Sequence, residues 1–269
     1  MVTTPGAVMA QLFSELPLGK LPARSDVRTL SLDRYIDRQL LPQPPTQLDL
    51  APPVHDWPMY GNDRLGDCTT AAAGHMIEAW TAGASGRPVE VPEQSVIDAF
   101  EAVKVVDPAT GEEGAVELDV LSFWRRSGIG GHRIGAFARV QTADHALVRT
   151  AAYLFGGVYI GLQLPLTAQE QQVWDWTGSL ADDAAPGSWG GHAVDVVAYD
   201  QDRLTVVTWG TLQQLTWSFW DRYCDEAYAV LSDDFLSGGR SPEGLDLAAL
   251  RRDLGLVTAD RTNRPKVSR

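Results

Sequence analysis

Through most of the first half of this chain apolar residues recur at helical spacing, and in the second half they fall into short alternating or continuous runs. Ala72, Met76, Ala79 and Trp80 share one face behind a capping Asp67, which predicts a helix over 67–82 ended by Gly83 or Gly86. Val96, Phe100 and Val103 after Pro92 predict a second helix over 92–105, and the DPATGEEG stretch behind it reads as a loop. A third helix is expected over 117–127, stopped by Gly128. HRIGAFARV alternates like a strand over 132–140, and Asp144 then caps a helix running to about 155. From there the pattern changes. GVYIGLQL is a short apolar strand, 167–191 reads as irregular, and HAVDVVAY and RLTVVTW, joined by a turn over 200–202, predict an antiparallel hairpin. Thr216 can cap a short helix through Tyr223, and EAYAVL is a last strand. Helices first and sheet second is an α+β signature.

The ends differ from the body. Residues 1–57 hold two Pro-rich pieces, LPLGKLPARSD and LLPQPPTQLDLAPPVHDWP, around a charged segment over 30–41 that has the character of a short helix. Proline fixes φ and removes a donor, so 1–57 is expected to be an extended arm laid on the body. Its Leu, Trp and Tyr residues favour docking over disorder. The body is expected over 58–235, with a helical lobe over 58–155 and a β lobe over 156–235. An appendage over 236–269 follows, with one helix in LDLAALRRDLG and a basic, Pro-containing end.

Composition narrows the function classes. With 44% hydrophobic and 21% charged residues, 269 residues bury one large domain or two lobes. A formal net charge of −13 argues against a nucleic-acid partner, because phosphate contacts need clustered Lys and Arg. Two cysteines, Cys68 and Cys224, make no disulfide framework and suit a reducing compartment. The N-terminus has neither a charged n-region nor an unbroken apolar stretch, and no segment has eighteen consecutive apolar residues. The expectation is a protein that is cytoplasmic or released without a signal peptide, with no membrane partner. No pair of histidines or cysteines has metal-ligand spacing, so neither a metal nor a cofactor is expected.

The candidate chemistry gathers around PMYGNDRLGDCTTAAAGHMIEAW. A Gly-rich polar loop there delivers Cys68 onto the first turn of a helix, where free N–H groups and the helix dipole favour a thiolate. A thiol nucleophile needs a base. Of five histidines, His192 is best placed, opening a strand directly after Trp189-Gly190-Gly191. His75 lies two helical turns from Cys68, too far to touch the thiol, and reads as a core or groove residue, while His55, His132 and His145 read as structural or exposed. The acidic Asp67 beside Cys68 opposes thiolate formation unless it is engaged in capping. Trp174 and Trp176 sit in a loop that could rim a groove.

GNDRLGDCTTAA, followed far downstream by GGHAVDVVAYD and then VVTWG, resembles the papain-like cysteine peptidases in their nucleophile loop, their Gly-His-Ala-Val strand and their Asn-Ser-Trp-Gly segment. LGKLPARSDVRTL and LDLAPPV are similar to the lead into the mature domain of bacterial members, and the likeness spans about 18–232. It implies an α+β papain-like fold, with a helical first lobe carrying the nucleophile and an antiparallel β second lobe. It implies Cys68 as nucleophile, His192 as general base, and Asn62 with the Cys68 N–H as the oxyanion site. Gly66, Gly190, Gly191 and Trp209 fall at substrate-binding positions, and Trp209 would shield His192 from water. Val207 stands where the family has the asparagine that orients the histidine, which leaves Thr208, another residue or nothing in that role; Asp195, on the opposite face of the strand, is not an obvious substitute.

Two readings follow. One is a thiol hydrolase, a peptidase attacking amide bonds of a peptide or protein substrate through a Cys68–His192 pair. The other is a catalytically impaired papain-like fold serving as a binding or assembly protein through its arm and tail, for example in a virion or another large particle.

Overall fold

In a computed structural model, residues 16–232 are described apart from 25, 27, 28, 38, 109 and 110. The first fifteen residues of the arm and the appendage expected over 236–269 lie outside the described residues.

The described residues over 16–57 hold little regular structure, and Leu32, Tyr35 and Leu41 among them join the main core. The segment over 30–41 is not a helix: only Leu32–Arg34 forms a single 3-10 turn, and Leu32 is buried in the core. Anchoring by tertiary contacts overrides the weak local helix preference, since the Arg139 N–H donates to Leu30 O at 2.7 Å. Further along, β1 (Leu48–Asp49) pairs with the main sheet, and Ala51, Val54 and Trp57 form a satellite core.

Helix α1 (Cys68–Ser85) follows, ended by Gly86 at φ 76° with its N–H bonded to Ala82 O. The sequence suggested an amphipathic helix, but every residue from Cys68 to Ala82 is buried. Small residues allow this: the alanines and Gly74 let neighbours close in on all sides, and a Cβ at Gly74 would lie 2.7 Å from the Tyr60 ring. Trp80 stacks on Trp124 at 5.4 Å and donates from Nε1 to Phe155 O.

Next come α2 (Glu93–Val103), a small hairpin of β2 (Val105–Val106) and β3 (Glu113–Gly114), and α3 (Glu117–Ser127). After β4 (Ile134–Arg139), α4 (His145–Phe155) starts with Asp144 accepting from the Leu147 N–H. The rest is sheet: β5 (Val158–Leu164), β6 (Val173–Trp174), β7 (Gly190–Tyr199), β8 (Arg203–Thr208) and β9 (Thr211–Thr216). The short helix α5 (Trp217–Tyr223) and the final strand β10 (Cys224–Ser232) close the described chain. As expected, Thr216 caps α5 by accepting from the Phe219 N–H.

The strands form one sheet in the order β4-β10-β5-β7-β8-β9-β6, with β1 on β7; the pairings are antiparallel except β6 with β9. Strand β9 was not foreseen. It exists because Trp209 and Gly210, at φ 44° and 69°, make a two-residue turn that returns the chain with Thr208 opposite Thr211. Helix α1 packs on β7 and β8, with Cys68 at its start against Ala193 near the start of β7.

Candidate active site

Cys68 is the first residue of α1 and is 1% exposed. Its neighbours on the sheet side come from β7: the backbone N–H of Ala193, the residue after His192, faces the sulfur, as does that of Gly19 from the arm. Burial nevertheless pushes the thiol up to about 11, with small additions from Asp67 and Glu117. The helix terminus does not win here. Asp67 is the N-cap by its backbone, with its carbonyl accepting from the Thr70 and Ala71 N–H groups, but its side chain makes no cap bond. The carboxyl is fully buried instead, under Gly61, and burial raises it to about 7 despite the Asn62 amide beside it.

His192, 1% exposed, stands at the start of β7. Its Nε2 lies 2.7 Å from Thr208 Oγ1 and its Nδ1 has no hydrogen-bond partner. The Trp209 ring stacks on the imidazole at 4.2 Å and 18°, and Trp189 lies 5.5 Å from Trp209. Trp209 therefore covers the imidazole. Burial lowers His192 to about 3, so it is neutral in this state. Val207 points the other way, into the satellite core with Trp57 and Ala79. Asp195, buried on the far side of the strand, does not reach His192 within hydrogen-bonding distance; burial holds its carboxyl well above the usual range.

Asn62 is buried, and its Nδ2 donates to Leu65 O at 3.1 Å across the nucleophile loop. His75 is also buried and bonded through Nε2 to Pro58 O at 2.7 Å; burial lowers it to about 4. His145 pairs with Asp221 and stacks on Trp217. Trp174 is buried against Phe219, so it rims no groove, while Trp176 is only half-buried.

Residues 18–21 lie across this site as an extended strand held on both sides. Lys20 N–H donates to Gly191 O at 3.1 Å; Ala115 N–H donates to Gly19 O at 2.8 Å; Leu21 N–H donates to Ala115 O at 3.0 Å. Three of the glycines singled out from the sequence are the ones the arm touches. A Cβ on Gly19 would fall 1.7 Å from Gly66 O, one on Gly191 would fall 2.1 Å from Lys20 O, and one on Gly190 would fall 2.8 Å from Leu18. The fit is backbone against backbone, and it leaves no room for a side chain.

Sequence reasoning missed what surrounds Lys20. Its side chain enters a closed pocket with Nζ 2.9 Å from Asp225 and 3.1 Å from Glu226. Buried Glu117 lies beside them. Glu117 comes from α3 and the adjacent Asp225 and Glu226 from β10, more than a hundred residues later, and none of them belongs to a recognisable motif. Among the described residues, no helix is long and apolar enough to cross a membrane.

No family model matches this chain, and no curated relative is found. Solved structures do match in fold. Xylellain, a cysteine protease from Xylella fastidiosa, superposes with a TM-score of 0.61 at 14% identity, over 81% of this chain and 96% of that one. The ragweed pollen cysteine protease Amb a 11, in its proform, gives 0.52 at 18% identity over 71% and 67%. The cysteine protease and lectin-like domains of Cwp84 from Clostridium difficile give 0.55 at 12% identity, over 81% of this chain and 57% of that one. Helix-borne Cys68 packed on the strand that carries His192 near its start, over a mostly antiparallel sheet, is thus the α+β fold of the papain-like cysteine proteases.

Proposed function

We propose that this chain is a cysteine peptidase of the papain type, held latent by its own residues 18–21. The observation that carries the reading is the hydrogen bond from His192 Nε2 to Thr208 under the Trp209 ring, on the strand that also faces Cys68. Thr208 takes the orienting role that Val207 cannot. When Nε2–H donates to Thr208 Oγ1, the ring is oriented in the tautomer whose Nδ1 lone pair can take the Cys68 proton.

Cys68 then attacks the amide carbonyl, and the electron pair of the C=O bond moves onto oxygen. The Cys68 N–H and the Asn62 amide are the donors for that oxyanion. Asn62 must give up its bond to Leu65 O to serve, and such a donor is worth about 3 kcal/mol. As the C–N bond breaks, the His192 imidazolium returns its proton to the leaving amine. Water, deprotonated by His192, then hydrolyses the thioester. Gly66, Gly190 and Gly191 leave the backbone clearance that an extended substrate needs, the clearance the arm now uses.

In the latent state both partners are neutral, with the thiol near 11 and the imidazole near 3. This also favours a second reading, an inactive fold kept for binding or assembly. The two part company when the arm is moved. Gly19→Ala in the full chain introduces a methyl that cannot coexist with Gly66 O. A mixed peptide library should be cleaved by this variant and not by Gly19→Ala/Cys68→Ala. A folded, arm-displaced protein with no turnover contradicts the peptidase and favours the scaffold.

A further inference from the structure

Three carboxyls converge on one ammonium at the floor of the groove. Lys20 is 4% exposed, and its Nζ meets Asp225 at 2.9 Å and Glu226 at 3.1 Å. Glu117 is fully buried with both carboxyl oxygens unpaired. The pocket also depends on the absence of a side chain. A Cβ on Gly161 of β5 would lie 1.9 Å from Lys20 Cε, 2.8 Å from Asp225 Oδ1 and 2.9 Å from Glu117 Oε1. The walls are braced from outside the pocket, by Gln163 Nε2 donating to Asp225 and by Tyr228 Oη donating to Glu226.

The excess of carboxyls over cations matters. Burial alone would strip the Lys20 proton, but Glu117, Glu226 and Asp225 together outweigh it and keep the ammonium charged above its ordinary value. Remove Lys20, and the buried Glu117 and Glu226 and the partly exposed Asp225 are left with no cation among them. An empty pocket of this kind is costly, and a neutral side chain does not relieve it. The backbone that carries Lys20 is bonded on both sides as a peptide strand, with the neighbouring Gly19 N–H facing the Cys68 sulfur.

We propose that the Glu117–Asp225–Glu226 pocket sets substrate choice: it takes the lysine side chain of a peptide bound across Cys68, within two residues of the bond attacked, and Lys20 is its occupant in cis. This assignment of substrate class rests on the peptidase reading above. The pocket thereby does two things, gripping the arm in the latent protein and selecting basic peptides once the arm has left.

Binding separates this proposal from turnover. In the full-length Gly19→Ala/Cys68→Ala protein, fluorescence anisotropy is measured with a labelled Leu-Gly-Lys-Leu-Pro peptide and with its norleucine and arginine counterparts. The lysine peptide should bind about tenfold or more tightly than the norleucine one, and Glu226→Gln, which keeps an acceptor for Tyr228, should erase most of that difference. Equal binding of the lysine and norleucine peptides overturns the proposal, as does a preference that survives Glu226→Gln. Should Gly19→Ala fold poorly, Lys20→Met in the full chain opens the groove by removing the ammonium instead. If neither folded variant binds any of the peptides, the pocket is an anchor for the arm alone and the proposal falls. Lysine-selective binding without turnover in Cys68-intact protein defeats the peptidase and leaves the pocket standing. Turnover indifferent to lysine does the reverse.

Discussion

On the sheet wall of the groove, His192 is aligned by a 2.7 Å hydrogen bond to Thr208 and roofed by Trp209 at 4.2 Å. On the helix wall, Cys68 lies between a buried carboxyl at its N-terminal side and the backbone of the chain's own arm, with its thiol raised to about 11. The same depth of burial has different consequences. For the imidazole, the parts that fix its orientation belong to the sheet and stay when the arm leaves. For the thiol, burial is the leading cause of the suppressed ionisation and the arm supplies part of that cover, so this part of the suppression can leave with the arm. The β wall is permanently set, and the helix wall is conditional.

The largest expected effect tests that condition. At pH 8 a thiol near 11 is ionised in roughly one molecule in a thousand, and release to an ordinary value near 8.5 would raise the thiolate fraction more than about 100-fold. The lower intrinsic nucleophilicity of a more acidic thiolate trims the gain in alkylation rate to about 20-fold. Iodoacetamide labelling of Cys68 in Gly19→Ala should therefore outpace the unaltered protein by about that factor, with the pH midpoint moved down by about two and a half units. Labelling at the same rate in both proteins would mean that the arm is not what silences the thiol.

A smaller effect is expected from disturbing the permanent wall. Thr208→Val keeps the size of the side chain and takes away the partner of His192 Nε2. In the Gly19→Ala background it should lower kcat about tenfold to a hundredfold with little change in KM, since the residue positions a catalytic group and touches no substrate. Thr208→Ser should restore most of the loss. The unpaired ring nitrogen should also cost about 1–3 kcal/mol of stability, seen as a lower midpoint in urea. A loss in KM alone would place Thr208 in binding and leave the orientation of His192 to something else.

How much of this was open to sequence reading follows the same division. The helices over 67–82 and 117–127, the strand after Gly191 and the Thr216 cap were legible because each depends on local periodicity or on a cap a few residues away. Cys68, His192 and the Trp-Gly pair were legible as short blocks. Thr208 remained one option among several, because choosing it over Val207 depends on the register of β8 on β7, which pairs Val207 with Asp195 and so sets it on the sheet face opposite His192. Strand β9 was hidden because a tryptophan at φ 44° is an improbable turn residue, accepted here because its ring packs on His192. The acidic pocket left no motif to read: Lys20, Glu117 and the adjacent pair Asp225 and Glu226 meet only through the tertiary fold, and each alone looks like a surface charge.

The smallest effect concerns Asp67, the residue whose charge argued against catalysis on sequence grounds. Its carboxyl is raised to about 7, chiefly by burial, so near neutrality it is only partly ionised, and its push on the Cys68 thiol ranks behind burial and the two facing N–H groups. Asp67→Asn should accordingly change Cys68 alkylation by less than about threefold. Stability gives the sharper readout. A carboxyl whose folded value lies above its unfolded 3.8 contributes in full below pH 3.8 and loses that contribution as pH rises through about 7, up to on the order of 4 kcal/mol by linkage. The amide cannot ionise, so the Tm of Asp67→Asn relative to the unaltered protein should climb between pH 4 and about 7 and level off above. A difference in Tm that does not vary with pH would mean that Asp67 is ionised throughout, and the helix wall would then carry a standing charge against its own nucleophile.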